Sequence, residues 1–104
     1  MPASASERRW PVLLTASAQN DLDALPSSFR ETIVTRLRGL ETEPIPVGKN
    51  LKRLRGPKRS VWRLREGDFR IFYRVETGQV IVVRVVNRRD LERAAEQLGT
   101  VSRI

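Results

Sequence analysis

The sequence predicts an α+β domain in which an antiparallel β-sheet carries an N-terminal α-helical hairpin on one face and ends in a short C-terminal helix. Three observations lead there. Residues 61–89, VWRLREGDFRIFYRVETGQVIVVRVVNRR, read as three strands joined by tight turns. Two amphipathic segments with helical spacing precede them. Parity then sorts the strand residues into an apolar face, which needs a cover, and an arginine face, which needs an anion.

Taken in order, residues 1–9 (MPASASERR) are small and polar without periodicity, and are expected to form a mobile arm. Residues 10–98 make a single domain, and 99–104 a tail. The apolar run 10–15 fits a first strand, and Pro11 suits an edge better than a sheet centre. Arg8-Arg9 before this run imitates a signal peptide, but about five apolar residues fall short of the ~7–15 such a segment needs. No run approaches the ~18 apolar residues of a membrane span, so no membrane partner is expected.

Ser17 is expected to cap a first helix running to about Leu25. Ala18, Leu22 and Leu25 form its buried stripe, and Asp21 and Asp23 lie near its positive end. Pro26 stops it. Ser28-Phe29-Arg30-Glu31 has the form of a capping box, which satisfies two backbone donors reciprocally. Phe29, Ile33, Leu37 and Leu40 follow at helical spacing, until Glu43-Pro44 breaks the pattern. A hairpin of two such helices has one apolar side, and the sheet's apolar face is the simplest place to bury it.

Residues 45–60 (IPVGKNLKRLRGPKRS) read as a basic connector pinned by Leu51 and Leu54. Glu66-Gly67 and Thr77-Gly78 are hairpin turns. By parity, Trp62 and Leu64, then Phe69, Ile71, Tyr73 and Val75, then Ile81, Val83 and Val85, share the apolar face. Arg63, Arg65, Arg70, Arg74, Arg84 and Arg88 share the other, with Phe72 among them. An outward face ordinarily mixes signs; every charge on this one is positive. Residues 90–98 (DLERAAEQL) read as the short C-terminal helix.

Composition sharpens the picture. The 104 residues carry a net charge of +8 and contain neither cysteine nor histidine. Disulfides and thiolate metal sites are thereby excluded, a zinc or iron site is improbable, and no cofactor is expected. Lack of cysteine fits a cytoplasmic protein. Residues 49–93 hold fourteen Lys or Arg against five acids, whereas 15–44 hold three against five. Positive charge is thus gathered on the sheet and its approach, the footprint of a polyanionic partner.

Several phrases carry a family resemblance: Ala18-x-x-Asp21-Leu22-x-x-Leu25-Pro26, Leu51-Lys-Arg-Leu-Arg-Gly56, Trp62-Arg-Leu-Arg65, Gly67-Asp-Phe-Arg-Ile-Phe-Tyr-Arg74 and Asn87-Arg-Arg-Asp90. Over roughly residues 10–93 the chain resembles the RelE/ParE superfamily of bacterial type II toxins, with the RelE-like branch favoured by its short helical hairpin. That resemblance implies a RelE-like fold and a toxin that cuts mRNA in the ribosome without metal, silenced by a cognate antitoxin. Operator DNA would be reached only through the antitoxin. The alternatives it leaves open are a ParE-like inhibitor of DNA gyrase, and a weakened toxin serving only as an antitoxin-complex module. Carried over by position, Arg70 matches the arginine on the scissile phosphate, Arg63 a strand cation and Arg88 the arginine after the last strand. Asn87 stands where many relatives have His, and Leu91-Glu92 where many have Tyr.

The residues themselves allow phosphate-clamping chemistry. When an RNA 2′-OH attacks its own phosphate, cations must hold the oxyanions while a base and an acid move protons. Arginine's planar fork matches two phosphate oxygens but keeps its proton, so it clamps well and makes a poor base. A lysine crowded by arginines can serve, and Lys52 and Lys58 are the candidates; Glu66, at a turn, is expected to be solvated. The expected catalytic set is Arg63, Arg70, Arg88 and Lys52. Arg65, Arg74, Arg84, Arg89, Lys49, Lys58 and Phe72 are expected to line the RNA path.

Overall fold

In the computed structural model, residues 9–46, 48, 50–54 and 61–90 are described. The elements follow the order β1 (Val12–Leu14), α1 (Ala16–Asp23), α2 (Ser27–Gly39), β2 (Leu51–Leu54), β3 (Val61–Glu66), β4 (Phe69–Glu76) and β5 (Gln79–Asn87), ending in a 3-10 turn, Arg88–Asp90. They form one five-stranded sheet in the order β1-β5-β4-β3-β2. The meander from β2 to β5 is antiparallel, and β1 joins the far edge parallel to β5. The expected N-terminal arm, C-terminal helix and tail lie outside the described residues, Arg9 and Asp90 aside.

Two corrections concern β-structure. The basic connector contains a strand: Leu51–Leu54 pairs antiparallel with β3, Lys52 facing Arg63 across the ladder. Four residues with two central cations carry little β-signal, yet charged side chains suit an edge strand. The second correction is one of parity. Phe72 pairs with Arg84 but Tyr73 pairs with Val82, leaving Val83 as an extra residue in β5. Such a bulge flips every side chain on one side of it. Val80 and Val82 therefore join Val85 beneath the helices, while Ile81 and Val83 turn to the opposite face.

The main core lies between helices and sheet. Ala18 and Leu22 of α1 and Ile33, Leu37 and Leu40 at α2 pack with Leu64, Ile71, Tyr73, Val80, Val82 and Val85. Tyr73 is fully buried, as its parity requires, and its hydroxyl donates to the Pro44 carbonyl at 2.7 Å. Burial disfavours the phenolate and pushes the Tyr73 pKa up to about 12. A smaller cluster of Val61, Phe72, Val83 and Val86, flanked by Leu54 and Ile81, lies on the other face.

Helix ends differ from the sequence reading in instructive ways. Thr15, not Ser17, caps α1: its Oγ1 accepts from the Ala18 N–H at 3.1 Å and donates to the Val83 carbonyl at 3.0 Å. The capping box does not form. Helix α2 starts two residues earlier than a Ser28 cap requires, at Ser27, with Pro26 before it and no side-chain cap. The hairpin is held instead by Arg30, which donates to the carbonyls of Leu22 (3.1 Å) and Leu25 (2.8 Å) at the end of α1. Phe29 is half exposed rather than core, tilted against Phe69 with ring centroids 5.4 Å apart.

Candidate nucleic-acid interface

The six-arginine face divides once its partners are known. Arg84 is committed to the fold: its Nε and Nη2 donate to the two oxygens of Asp21 on α1, at 2.7 and 3.1 Å. The same carboxylate accepts the Val85 N–H at 2.8 Å, so Asp21 stitches α1 to β5 beside the bulge. Its hydrogen bond raises the Arg84 pKa against the opposing effect of burial. Arg74 is paired with Glu76, two residues along the same strand, at 3.0 Å. Neither side chain is the unpaired anion clamp that parity proposes. The signals were present in Asp21 and Glu76, but nothing in sequence fixed which cations they meet.

Phe72 also departs from expectation. It is 1% exposed, enclosed in the smaller apolar cluster, so no ring face is open for a base to stack on. Glu66 keeps its side chain 33% exposed at its turn, 3.5 Å from Arg36 of α2. Lys49 and Lys58 lie outside the described residues.

What remains is a compact set around Arg70. On β4, Arg70 stands directly across the ladder from Arg65, and one row further Arg63 stands opposite Phe72. The Arg70 pKa is lowered, first by burial and then by the charges of Arg65, Arg63 and Arg88 in turn, while Asp68 acts against them. Three guanidiniums from β3 and the end of β5 therefore act electrostatically on a fourth. Like charges opposed across a ladder destabilise a sheet, so the arrangement is costly until an anion arrives.

The local contacts hold Arg70 in place without neutralising it. Its Nη1 donates to the carbonyls of Gly67 and Phe69, each at 3.0 Å. Gly67 has φ +59°, which lets the turn fold back so that its carbonyl meets that guanidinium. Arg65 Nη2 donates to Asn50 Oδ1 at 3.1 Å, and the Arg88 N–H donates to the Asp68 carbonyl at 2.7 Å. Asn87 Oδ1 accepts from the Arg89 N–H at 3.0 Å, the neutral capping task that occupies this position. Lys52 is exposed on β2, two strands from Arg70 and thus roughly 10 Å away across the sheet. Chemically, the set can grip a phosphate from two sides and stabilise charge that grows on its oxygens.

Comparison with known proteins places the chain among toxins. The family model described as the ParE toxin of the type II toxin–antitoxin system, parDE, matches residues 12–92. Toxin RelG of Mycobacterium tuberculosis is 35% identical over 88 residues, covering 81% of this chain and 97% of that protein. Putative toxin RelE1 of Methanocaldococcus jannaschii is 38% identical over 72 residues, covering 67% of this chain and 79% of that one. A chain of the toxin–antitoxin complex RelBE2 from Mycobacterium tuberculosis superposes with TM-score 0.67 at 29% identity, covering 81% of this chain and 97% of its own length. A mutant of Escherichia coli toxin RelE in the free state shares the fold, with TM-score 0.63 at 24% identity over 92% of this chain and 98% of that one.

Proposed function

Because this chain belongs to the RelE/ParE superfamily of type II toxin–antitoxin toxins, we propose that it is a ribosome-dependent mRNA endonuclease held inactive by a cognate antitoxin. The observation that carries the reading is Arg70 paired across the ladder with Arg65, with Arg63 one row on and the charges of Arg65, Arg63 and Arg88 all acting on Arg70. Arg70 and Arg88 hold the scissile phosphate, Arg63 and Arg65 neutralise the pentacoordinate oxyanions, and Lys52 and Arg89 extend the positive rim along which RNA lies. Guanidiniums pre-set for that charge do not reorganise during the reaction. The ribosome supplies mRNA in register and places the action in the cytoplasm.

The antitoxin follows from the same charges. A resting toxin with four crowded arginines binds an acidic segment well, and the related RelBE2 toxin is found in a complex with its antitoxin. Any contact with operator DNA runs through that partner.

A second reading, inhibition of DNA gyrase, is favoured by the ParE description of the matching family model. One experiment separates the two. Inducing the chain alone and mapping RNA ends by primer extension is expected to show cuts within translated codons, together with growth arrest. Arg70→Ala is expected to lower cutting by about 100-fold or more while the fold persists. Intact mRNA with stabilised double-strand DNA breaks points to gyrase and overturns the endonuclease reading.

A further inference from the structure

The clamp has cations in abundance, yet a 2′-hydroxyl needs somewhere to send its proton. Arginine does not accept one near neutral pH, and Glu66 lies towards Arg36 of α2, on the face of β3 opposite Arg63 and Arg65. Lys52 is two strands away and is not among the groups whose charge acts on Arg70. One carboxylate does stand with the arginines. Asp68 lies in the turn between β3 and β4, and its carbonyl accepts the Arg88 N–H at 2.7 Å, which ties that turn to the end of β5.

The Asp68 carboxylate is close without being consumed. Its Oδ1 lies 4.0 Å from Arg88 Nε, beyond hydrogen-bonding distance, and the side chain is 73% exposed. Among the carboxylates of the described residues, it alone figures in the electrostatic surroundings of Arg70. The cations tied to it are Arg88 from the 3-10 turn, at that 4.0 Å, and Arg70 from β4, on which its charge acts. In an in-line conformer the 2′-oxygen lies about 3 Å from phosphorus. A base for it must therefore sit beside the phosphate clamp, as Asp68 does.

We propose that Asp68 is the proton acceptor for the RNA 2′-hydroxyl, an assignment that rests on the endonuclease reading above. As the 2′-oxygen–phosphorus bond forms, the 2′-OH proton passes to the Asp68 carboxylate. The bond from phosphorus to the 5′-oxygen breaks, and that oxygen takes a proton from water. The products are a 2′,3′-cyclic phosphate and a 5′-hydroxyl, and Asp68 returns its proton to solvent. Asp68 is a catalytic residue in this scheme, because its carboxylate meets the reacting hydroxyl.

The test uses the purified full chain with bacterial ribosomes programmed with a short defined mRNA, and follows the single-turnover cutting rate from roughly pH 6 to 8.5. The wild-type profile is the reference for each variant. Asp68→Asn, which keeps the shape of the turn, is expected to be about 100-fold slower at neutral pH. Relative to wild type, its rate is expected to climb about tenfold per pH unit as hydroxide replaces the lost base, and Asp68→Glu to restore much of the rate and the wild-type profile. A merely structural loss lowers the Asn variant without tilting its profile, and that result overturns the assignment. So does an Asn variant that cuts within a few-fold of wild type, which leaves the endonuclease reading standing. Failure of the wild type to cut at all overturns both.

Discussion

Replacing Asp21 by alanine removes three acceptor contacts at once, and the size of the loss can be worked from the structure. The carboxylate holds Arg84 through two oxygens and also takes the Val85 N–H, so three N–H donors lose this acceptor when it goes. Breaking a fully buried pair costs about 3–5 kcal/mol. Here the side chains of Arg84 and Asp21 remain 21% and 16% exposed, so water recovers part of that and about 2–3 kcal/mol is expected. For a domain of this size that corresponds to a fall in Tm of about 10–20 °C. Thermal and urea denaturation of Asp21→Ala, Arg84→Ala and the double variant measure both the loss and the coupling. The expected coupling is about 1–2 kcal/mol. A loss below about 0.5 kcal/mol with no coupling is the behaviour of a solvated surface pair, and refutes the stitch between α1 and β5.

The other expectations concern the two faces of the sheet and the hairpin. Tyr73 is the sole tyrosine, and its raised pKa means the fold prefers the neutral phenol. Its contribution to stability is whole below the unfolded value near 10 and is lost as pH climbs towards about 12, a change of roughly 2–3 kcal/mol. An ultraviolet titration should show the phenolate appearing near pH 12 together with unfolding; ionisation near pH 10 in an intact fold contradicts the burial. Phe72→Ala is expected to cost about 3–5 kcal/mol in denaturant, whereas Phe72→Leu keeps both fold and mRNA cutting. A stable Leu variant that no longer cuts means that the ring touches RNA after all. Arg30→Ala removes a donor from each of the Leu22 and Leu25 carbonyls and is expected to lower stability by about 1–2 kcal/mol, with hydrogen exchange fastest at the end of α1.

Periodicity carried most of the architecture. The stripes of Ala18 with Leu22 and of Ile33 with Leu37 and Leu40, and the parity of Leu64, Ile71 and Tyr73, are read directly from spacing because each follows an uninterrupted period. What spacing could not show is a break in period. Val83 is one more valine in a run of them, and only pairing with β4 reveals it as the extra residue that turns Val80 and Val82 inward. Leu51–Leu54 stayed hidden for a related reason, since an exposed edge strand shows no apolar alternation. At the candidate site, parity placed Arg63, Arg65, Arg70 and Arg88 on one face, where Arg70 pairs across the ladder with Arg65 and the charges of the other three act on it. It could not separate these from Arg74 and Arg84, whose counter-ions arrive from Glu76 and, through the tertiary fold, from Asp21. The Ser28–Glu31 capping box was legible and misleading, because Arg30 draws the hairpin tight by another route.

The most direct test of the phosphate clamp watches each guanidinium by itself. Arginine Nε–Hε resonances of the isotopically labelled chain are followed by NMR while a short uncleavable RNA, 2′-O-methylated at each position, is added at low salt. Arg63, Arg65, Arg70 and Arg88 are expected to shift together along one saturable curve, with Arg74 and Arg84 nearly still. Saturable movement of Arg74 and Arg84 with Arg70 left in place would show RNA seated on the paired cations, and would contradict the account at its centre.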